Sequence, residues 1–209
     1  MPVYAFVDET FNPYMDDFFL VSILVINCTS KKELFEHNVY KKLIDAEAAS
    51  HIKAKKWFKC SGRQDHKRRV RYINIILEST IFTNNLFFGY DFGIKAHRKI
   101  DEMAIYIAES LSSFYIINAI ETTKAIISID GLERSNHGLI TNRLNRRSAR
   151  TKKIIGVKKD ESNPFIRLVD RICGLARYAI EYEISGDPKQ KWAHELLELL
   201  RKNSTLIRI

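Results

Sequence analysis

Apolar and polar residues follow two periods along the chain, and these periods predict strands and helices. Runs that are almost wholly apolar are typical of strands buried on both faces. The predicted strands lie at 3–7, 18–26, within 81–92, and at 125–129 and 154–157. Apolar residues that recur every three or four positions indicate helices. The predicted helices lie at 31–50, 64–78, 100–117, 137–150, 164–184 and 189–202.

The order of these elements predicts the fold class. Strands and helices alternate along the chain, which is typical of an α/β protein, and we expect the first two strands to form a hairpin. The 209 residues are a usual length for one domain. We therefore expect a single α/β domain over 1–209, with a C-terminal helix at about 189–202.

Charge changes this picture because the chain is strongly basic. Lys and Arg number 34 and Asp and Glu number 25, a net charge of +9, which favours a polyanionic partner such as nucleic acid. No apolar run approaches the roughly 20 residues of a membrane-spanning helix. Cys28, Cys60 and Cys173 are too scattered for a disulfide framework or a metal motif. We expect a reduced, cytoplasmic protein with no membrane segment, and the sequence leaves a homodimer open.

Two aspartates follow buried strands at their carboxyl ends. Asp8 ends the run at 3–7, and Asp130 ends the run at 125–129. If the two strands are adjacent and parallel, both carboxylates emerge at the sheet edge where α/β proteins place their ligands. The alternative is that each Asp only caps a turn or the helix that follows.

A third aspartate, Asp170, lies inside a helix that is mostly buried. A carboxylate in such a place needs a partner or a cation, because a bare buried charge is costly. Arg167, Gly174 and Arg177 lie in line with Asp170 on the helix. Gly174 could leave room for a ligand beside Asp170. The alternative is an ion pair of Asp170 with Arg167 or Arg177.

Three carboxylates from two strand ends and one helix form a donor set that suits Mg²⁺ or Mn²⁺. Mg²⁺ takes oxygen ligands and keeps several waters, and a pair of such ions can promote phosphodiester hydrolysis. Asp8, Asp130 and Asp170 are therefore the predicted metal ligands. Glu9 is a fourth candidate, although neighbouring residues on a strand point to opposite faces.

Basic residues cluster on one predicted helix. Arg143, Arg146, Arg147 and Arg150 recur at helical spacing, and no acidic residue occurs from there to Lys153. Arginine suits phosphate because its planar fork can bond two oxygens. We therefore expect these four arginines to contact nucleic acid; the alternative is a solvated charged face.

The acidic positions carry a resemblance to the "domain of unknown function 3800" family. Asp8-Glu9, after the first strand, resembles the start of that family's Asp-Glu-Ser-Gly signature. The segment SNPFIRLVD at 162–170 is similar to its late motif, in which Ser and Pro lead through an apolar stretch to Ala-Asp. The strand that ends at Asp130 matches the family's middle acidic position.

This resemblance implies a ribonuclease-H-like fold, with a mixed β-sheet flanked by helices, and a bacterial, phage or mobile-element setting. It implies that Asp8, Asp130 and Asp170 are the acidic metal ligands of a nuclease. The family often has a Glu-x-Lys segment after its first long helix, and the nearest match here is His51-Ile52-Lys53. Lys53 is thereby a candidate contact for a phosphate or the transition state.

The leading hypothesis is a divalent-metal-dependent nuclease that hydrolyses phosphodiester bonds in DNA or RNA through an acidic two-metal site. The alternative is a non-catalytic ribonuclease-H-like module that binds nucleic acid or protein in a bacterial or phage defence or mobile-element system. The chain has no Gly-rich phosphate loop and no Ser-His-Asp or Cys-His pattern. Nucleotide-cofactor folds and those hydrolase classes are therefore not indicated.

Overall fold

A five-stranded sheet forms the centre of the computed structural model, which describes residues 3–50, 63–78, 85–147, 149, 151–157 and 163–203. The strands are β1 (Val3–Asn12), β2 (Phe18–Asn27), β3 (Leu86–Asp91), β4 (Ala125–Asp130) and β5 (Thr151–Val157). The helices are α1 (Lys31–Glu36), α2 (Asn38–Ala49), α3 (Arg63–Leu77), α4 (Lys99–Ile117), α5 (His137–Arg146), α6 (Pro164–Ser185) and α7 (Lys191–Asn203).

The sheet is mixed, with the strand order β3-β2-β1-β4-β5. β1, β2 and β3 pair antiparallel, whereas β4 is parallel to β1 and β5 is parallel to β4. The predicted α/β class, a mixed sheet flanked by helices, is confirmed, as is the hairpin of the first two strands. The parallel pairing places the carboxyl ends of β1 and β4 at the same edge of the sheet.

The two faces of the sheet bury different helices, because side chains alternate along each strand. Phe6 of β1 belongs to a core that includes residues of α1, α2, α3, α6 and α7. Val7 belongs to a second core, shared with α4 and α5. Phe165, near the start of α6, stacks on Phe6 with ring centroids 4.6 Å apart. The even-numbered positions of β1 therefore face α6.

β1 is longer than the strand predicted at 3–7. β2 pairs with β1 as far as Asn12, whereas the pairing with β4 ends at Val7. β1 and β2 thus extend past β4, and β2 still pairs with β3 on its other side in this region. Asp8 consequently lies within β1, at the point where the parallel pairing ends.

Two predicted helices differ from the structure in their limits. The helix predicted at 31–50 is divided into α1 and α2 by the extended backbone of His37, whose ψ is 143°. The helix predicted at 137–150 ends at Arg146. Thr151 already pairs with β4 as the first residue of β5, so the chain has to leave the helix before that residue.

Two expectations from composition concern membranes and thiols. Within the described part of the chain, no helix is long and apolar enough to cross a membrane. Cys28 and Cys173 are buried free thiols, and Cys60 lies outside the described residues.

A buried ion-pair cluster joins α2 to α6. Arg167 donates to both carboxylate oxygens of Glu47, at 2.8 and 2.6 Å, and Arg171 donates to Glu47 at 2.5 Å. The Arg171 side chain is 1% exposed and lies over the ring of Tyr72 in α3. Burial raises the pKa of Glu47, but the bonds and charges of the two arginines outweigh it and hold the pKa below its ordinary value. This cluster fixes α6 against α2 and α3.

Glu47→Gln is expected to lower the free energy of unfolding by about 3 kcal/mol, because two buried guanidinium groups lose their shared counter-charge. Urea unfolding at neutral pH measures this loss. The difference in the free energy of unfolding between Glu47→Gln and the wild type should shrink as pH falls through the lowered pKa of Glu47, since the protonated wild-type side chain is also neutral.

Glu36→Gln is the matched control. It removes an ion pair with Lys32 whose side chains are 84% and 64% exposed, and such pairs contribute at most about 1 kcal/mol. Equal losses in the two variants would contradict a stabilising role for the buried cluster.

Candidate functional site

Asp8 and Asp130 lie next to each other at the carboxyl edge of the parallel strands. Val7 pairs with Ile129, and the two aspartates are the next residues of their strands. Ile126 of β4 packs in the α6 core, so alternation places Asp130, like Asp8, on the α6 face. The two carboxylates therefore emerge at the same edge and on the same face.

α6 brings Asp170 to this edge. Ser22 of β2 stands opposite Asp8 in the hairpin register. Its buried hydroxyl donates a hydrogen bond of 2.5 Å to the backbone carbonyl of Val169. This bond fixes α6 at the residue before Asp170 and explains why one polar residue interrupts an apolar strand.

The charges of these carboxylates act on one another. Burial raises the pKa of Asp8 well above its ordinary value, and the negative charges of Asp170, Glu9 and Asp130 raise it further. A backbone hydrogen bond from Glu9 offsets part of the effect. Four carboxylates thus gather at one edge of the sheet, close enough to disfavour ionisation of Asp8.

Glu9 reaches this cluster from the opposite face of the sheet, the face covered by α4. Its Oε1 forms an ion pair of 2.6 Å with Nζ of Lys99, the first residue of α4. Its Oε2 is buried and has no hydrogen-bond partner in the described part of the chain. A buried carboxylate oxygen without a partner is costly, and it is available to a cation.

Cys173 borders the carboxylates from α6. Its sulfur lies 3.9 Å from the carbonyl oxygen of Leu20 in β2. Burial raises the pKa of this thiol well above its ordinary value, and the charges of Asp8, Asp170 and Glu9 raise it further. The thiol is therefore protonated at neutral pH, and Cys173 serves the site as an apolar neighbour and not as a nucleophile.

The two arginines in line with Asp170 contact other carboxylates. Arg167 binds Glu47 in the buried cluster. Nε of Arg177 lies 3.7 Å from Oε1 of Glu181, one helical turn further along α6. Arg167 and Arg177 thus each contact a carboxylate other than Asp170.

The four predicted arginines do not form one continuous helical stripe. Arg143 forms an ion pair of 2.5 Å with Asp101 of α4, so its charge is matched. α5 ends at Arg146, and Arg147 is its C-cap; both side chains are exposed. Two further candidates lie outside the described residues: Arg150 and Lys53.

Sequence patterns missed two residues that hold the site together, Ser22 and Lys99. Ser22 carried a signal, because a hydroxyl inside an apolar strand falls opposite Asp8 once the hairpin register is drawn. Lys99 carried none, since it is one basic residue among many. Its contact with Glu9 depends on how α4 packs against the sheet.

Two solved structures illustrate what the chain is similar to. One is the ribonuclease H2 from Pyrococcus horikoshii OT3, with 14% identity and a TM-score of 0.44, covering 96% of this chain and 100% of that chain. The other is the PCNA:RNase HII complex from Archaeoglobus fulgidus, with 12% identity and a TM-score of 0.39, covering 99% of this chain and 93% of that chain. No protein family and no curated protein matches the chain. Because identity and TM-score are low, the function proposed below rests on the carboxylates of this chain.

Asp8→Asn is expected to stabilise the metal-free protein at neutral pH. The amide keeps the shape of the side chain and removes a charge that burial and three carboxylates disfavour. A raised pKa means that the folded protein disfavours the charged form, so the free energy of unfolding should rise. Urea unfolding in the presence of EDTA measures it.

The sign of the pH dependence follows from the raised pKa of Asp8. The folded wild type binds this proton more tightly than the unfolded chain, so its stability falls as pH rises from the ordinary to the raised pKa. The advantage of Asp8→Asn should therefore grow over that range. Asp45→Asn, an exposed change on α2, should be neutral. A loss of stability in Asp8→Asn would contradict the repulsion.

Proposed function

We propose that this chain is a divalent-metal-dependent nuclease that hydrolyses phosphodiester bonds in DNA or RNA. The observation that carries the proposal is that strand pairing and the packing of α6 bring Asp8, Asp130 and Asp170 to the carboxyl edge of the parallel strands, with Glu9 next to Asp8 in β1. Titratable groups that perturb one another in this way are typical of functional sites. Ligands of α/β proteins bind at this kind of edge.

The donor set supports Mg²⁺ or Mn²⁺. All four side chains offer carboxylate oxygens, which hard cations prefer, and Oε2 of Glu9 is buried without a partner among the described residues. We assign Asp8, Asp130 and Asp170 as the ligands and Glu9 as the fourth. When bound by these residues, such a metal centre would supply an activated water and stabilise the leaving oxygen.

The chain's own residues hold this donor set in place. Ser22 ties α6 to β2, so that Asp170 stays beside Asp8. Lys99 matches part of the charge of Glu9 and orients its carboxylate. Cys173 places an uncharged, buried side chain next to the carboxylates.

The finer identity also belongs to this proposal: a single ribonuclease-H-like domain of the "domain of unknown function 3800" family, of bacterial or phage origin. Asp8-Glu9, Asp130 and the motif at 162–170 support it. A nucleic-acid partner is supported by the net charge of +9 and by the exposed side chains of Arg146 and Arg147.

The full chain is expected to cleave DNA or RNA when Mg²⁺ or Mn²⁺ is added and to lose this activity in EDTA. Single-stranded and double-stranded forms of both, labelled at one end, identify the substrate on denaturing gels. Asp130→Asn and Asp170→Asn should each lower the rate at least about a hundredfold, because each removes charge that stabilises the transition state through the metal.

Asp45→Asn, made and purified in parallel, should cleave at the wild-type rate. Cleavage that survives Asp170→Asn would assign the activity to a contaminant or another site. Binding of nucleic acid by the wild type without cleavage under any condition would favour the non-catalytic binding module.

A further inference from the structure

α6 runs along β1 toward the carboxylates and past them. Successive turns of the helix meet successive positions of the β1–β2 hairpin. Phe165 stacks on Phe6. The carbonyl of Val169 accepts a hydrogen bond from Ser22, which stands opposite Asp8 in the hairpin. Cys173 contacts Leu20, which stands opposite Thr10. Four helical residues rise about 6 Å and two strand residues about 6.6 Å, so helix and strand advance together. Arg177 lies one turn further along α6 than Cys173, past Asp170.

The guanidinium of Arg177 keeps hydrogen-bonding capacity in this position. Its side chain is 34% exposed, and its ion pair with Glu181 is 3.7 Å long. Its Nε is buried and makes no hydrogen bond with the described residues. Oε2 of Glu181 already accepts a hydrogen bond of 2.8 Å from Gln190. The ring of Tyr178 lies 4.8 Å from the guanidinium carbon and supports the group from one side.

Arg177 also lies within the electrostatic field of the acidic cluster. The pKa of the Cys173 thiol depends on both the acidic cluster and Arg177. Burial and the charges of Asp8, Asp170 and Glu9 raise this pKa, and the charge of Arg177 lowers it. A partly exposed positive group therefore stands near the carboxylates, on the helix that supplies Asp170.

We infer that Arg177 binds a phosphate of the substrate strand that flanks the one being cleaved. This inference rests on the proposed nuclease function and names a further substrate-binding residue for it. Asp170 and Arg177 are seven residues apart, which is about 10 Å along a helix. Arg177 thus lies two helical turns from Asp170, so its role is to position the strand and not to touch the reacting atoms.

The planar fork of arginine suits this role because it can bond two phosphate oxygens at once. The carboxylates repel the polyanionic strand from the side of the sheet. A positive charge one phosphate or more away offsets that repulsion and sets how the strand lies along α6. The expected signature is a loss of binding that is confined to one phosphate position.

The experiment measures binding in the cleavage-blocked variant Asp130→Asn, with and without Arg177→Gln. Short fluorescein-labelled single-stranded DNA and RNA are titrated in Mg²⁺, and affinity is read from fluorescence anisotropy over a range of salt. Arg177→Gln should bind about tenfold more weakly, the effect of one charge-assisted hydrogen bond. The slope of log affinity against log salt should fall by about 0.7, the value for one phosphate contact on a single strand.

Oligonucleotides with one neutral methylphosphonate at successive positions locate the contact. At one position, the methylphosphonate should weaken binding by the protein that keeps Arg177. The same methylphosphonate should have no further effect on binding by Arg177→Gln. Arg71→Gln, an exposed change on α3, should keep that position-specific effect. Arg177→Lys should recover part of the affinity. Thermal unfolding should show that all variants are folded.

Two results would overturn the inference. If Arg177→Gln keeps the salt slope and the response at every position, Arg177 contacts no phosphate, and the nuclease proposal stands or falls on its own cleavage assay. If neither oligonucleotide binds while Arg177 is intact, and the wild type cleaves nothing, the proposed function fails together with the inference.

Discussion

Repulsion among the carboxylates at the sheet edge is the constraint around which the rest of the structure is arranged. Asp8 is held where burial and three neighbouring negative charges disfavour its ionised form. A carboxylate on a mobile helix would move away from such neighbours. Asp170 stays because Ser22 bonds the preceding carbonyl, and because Arg167 and Arg171 tie the same helix to Glu47. The contacts that fix α6 thus hold the carboxylates in an unfavourable electrostatic arrangement, which is common at functional sites.

β1 makes this arrangement possible because it is the only strand in the described sheet with one antiparallel and one parallel neighbour. The parallel partner supplies Asp130 at the same edge, and the antiparallel partner supplies Ser22 opposite Asp8. Alternation along the strand sends Asp8 toward α6 and Glu9 toward α4. Two consecutive residues of β1 therefore connect the same carboxylate cluster to α6 on one face of the sheet and to α4 on the other.

The sequence was enough to predict the alternation of elements, the first hairpin and the aspartates at the ends of buried runs. These features depend on local periodicity and on the cost of burying charge. It was not enough to place Lys99 on Glu9 or Asp101 on Arg143, since those pairs join residues far apart in the chain. The prediction that the four arginines lie on one continuous helix is wrong, because residues spaced three and four positions apart do not show where a helix ends. The pairing of Thr151 with β4 sets only the limit before which the helix has to end.

The overhang of the β1–β2 hairpin makes the two sides of the cluster unlike. On one side the hairpin continues to Asn12 past the last residue paired with β4, and on the other side β4 ends at Asp130. The edge of the sheet is therefore a step and not a straight line. A polymer lying across such a step cannot be turned end for end and meet the same surroundings. Anything that lies across the carboxylates therefore meets the β1–β2 hairpin on one side and the end of β4 on the other.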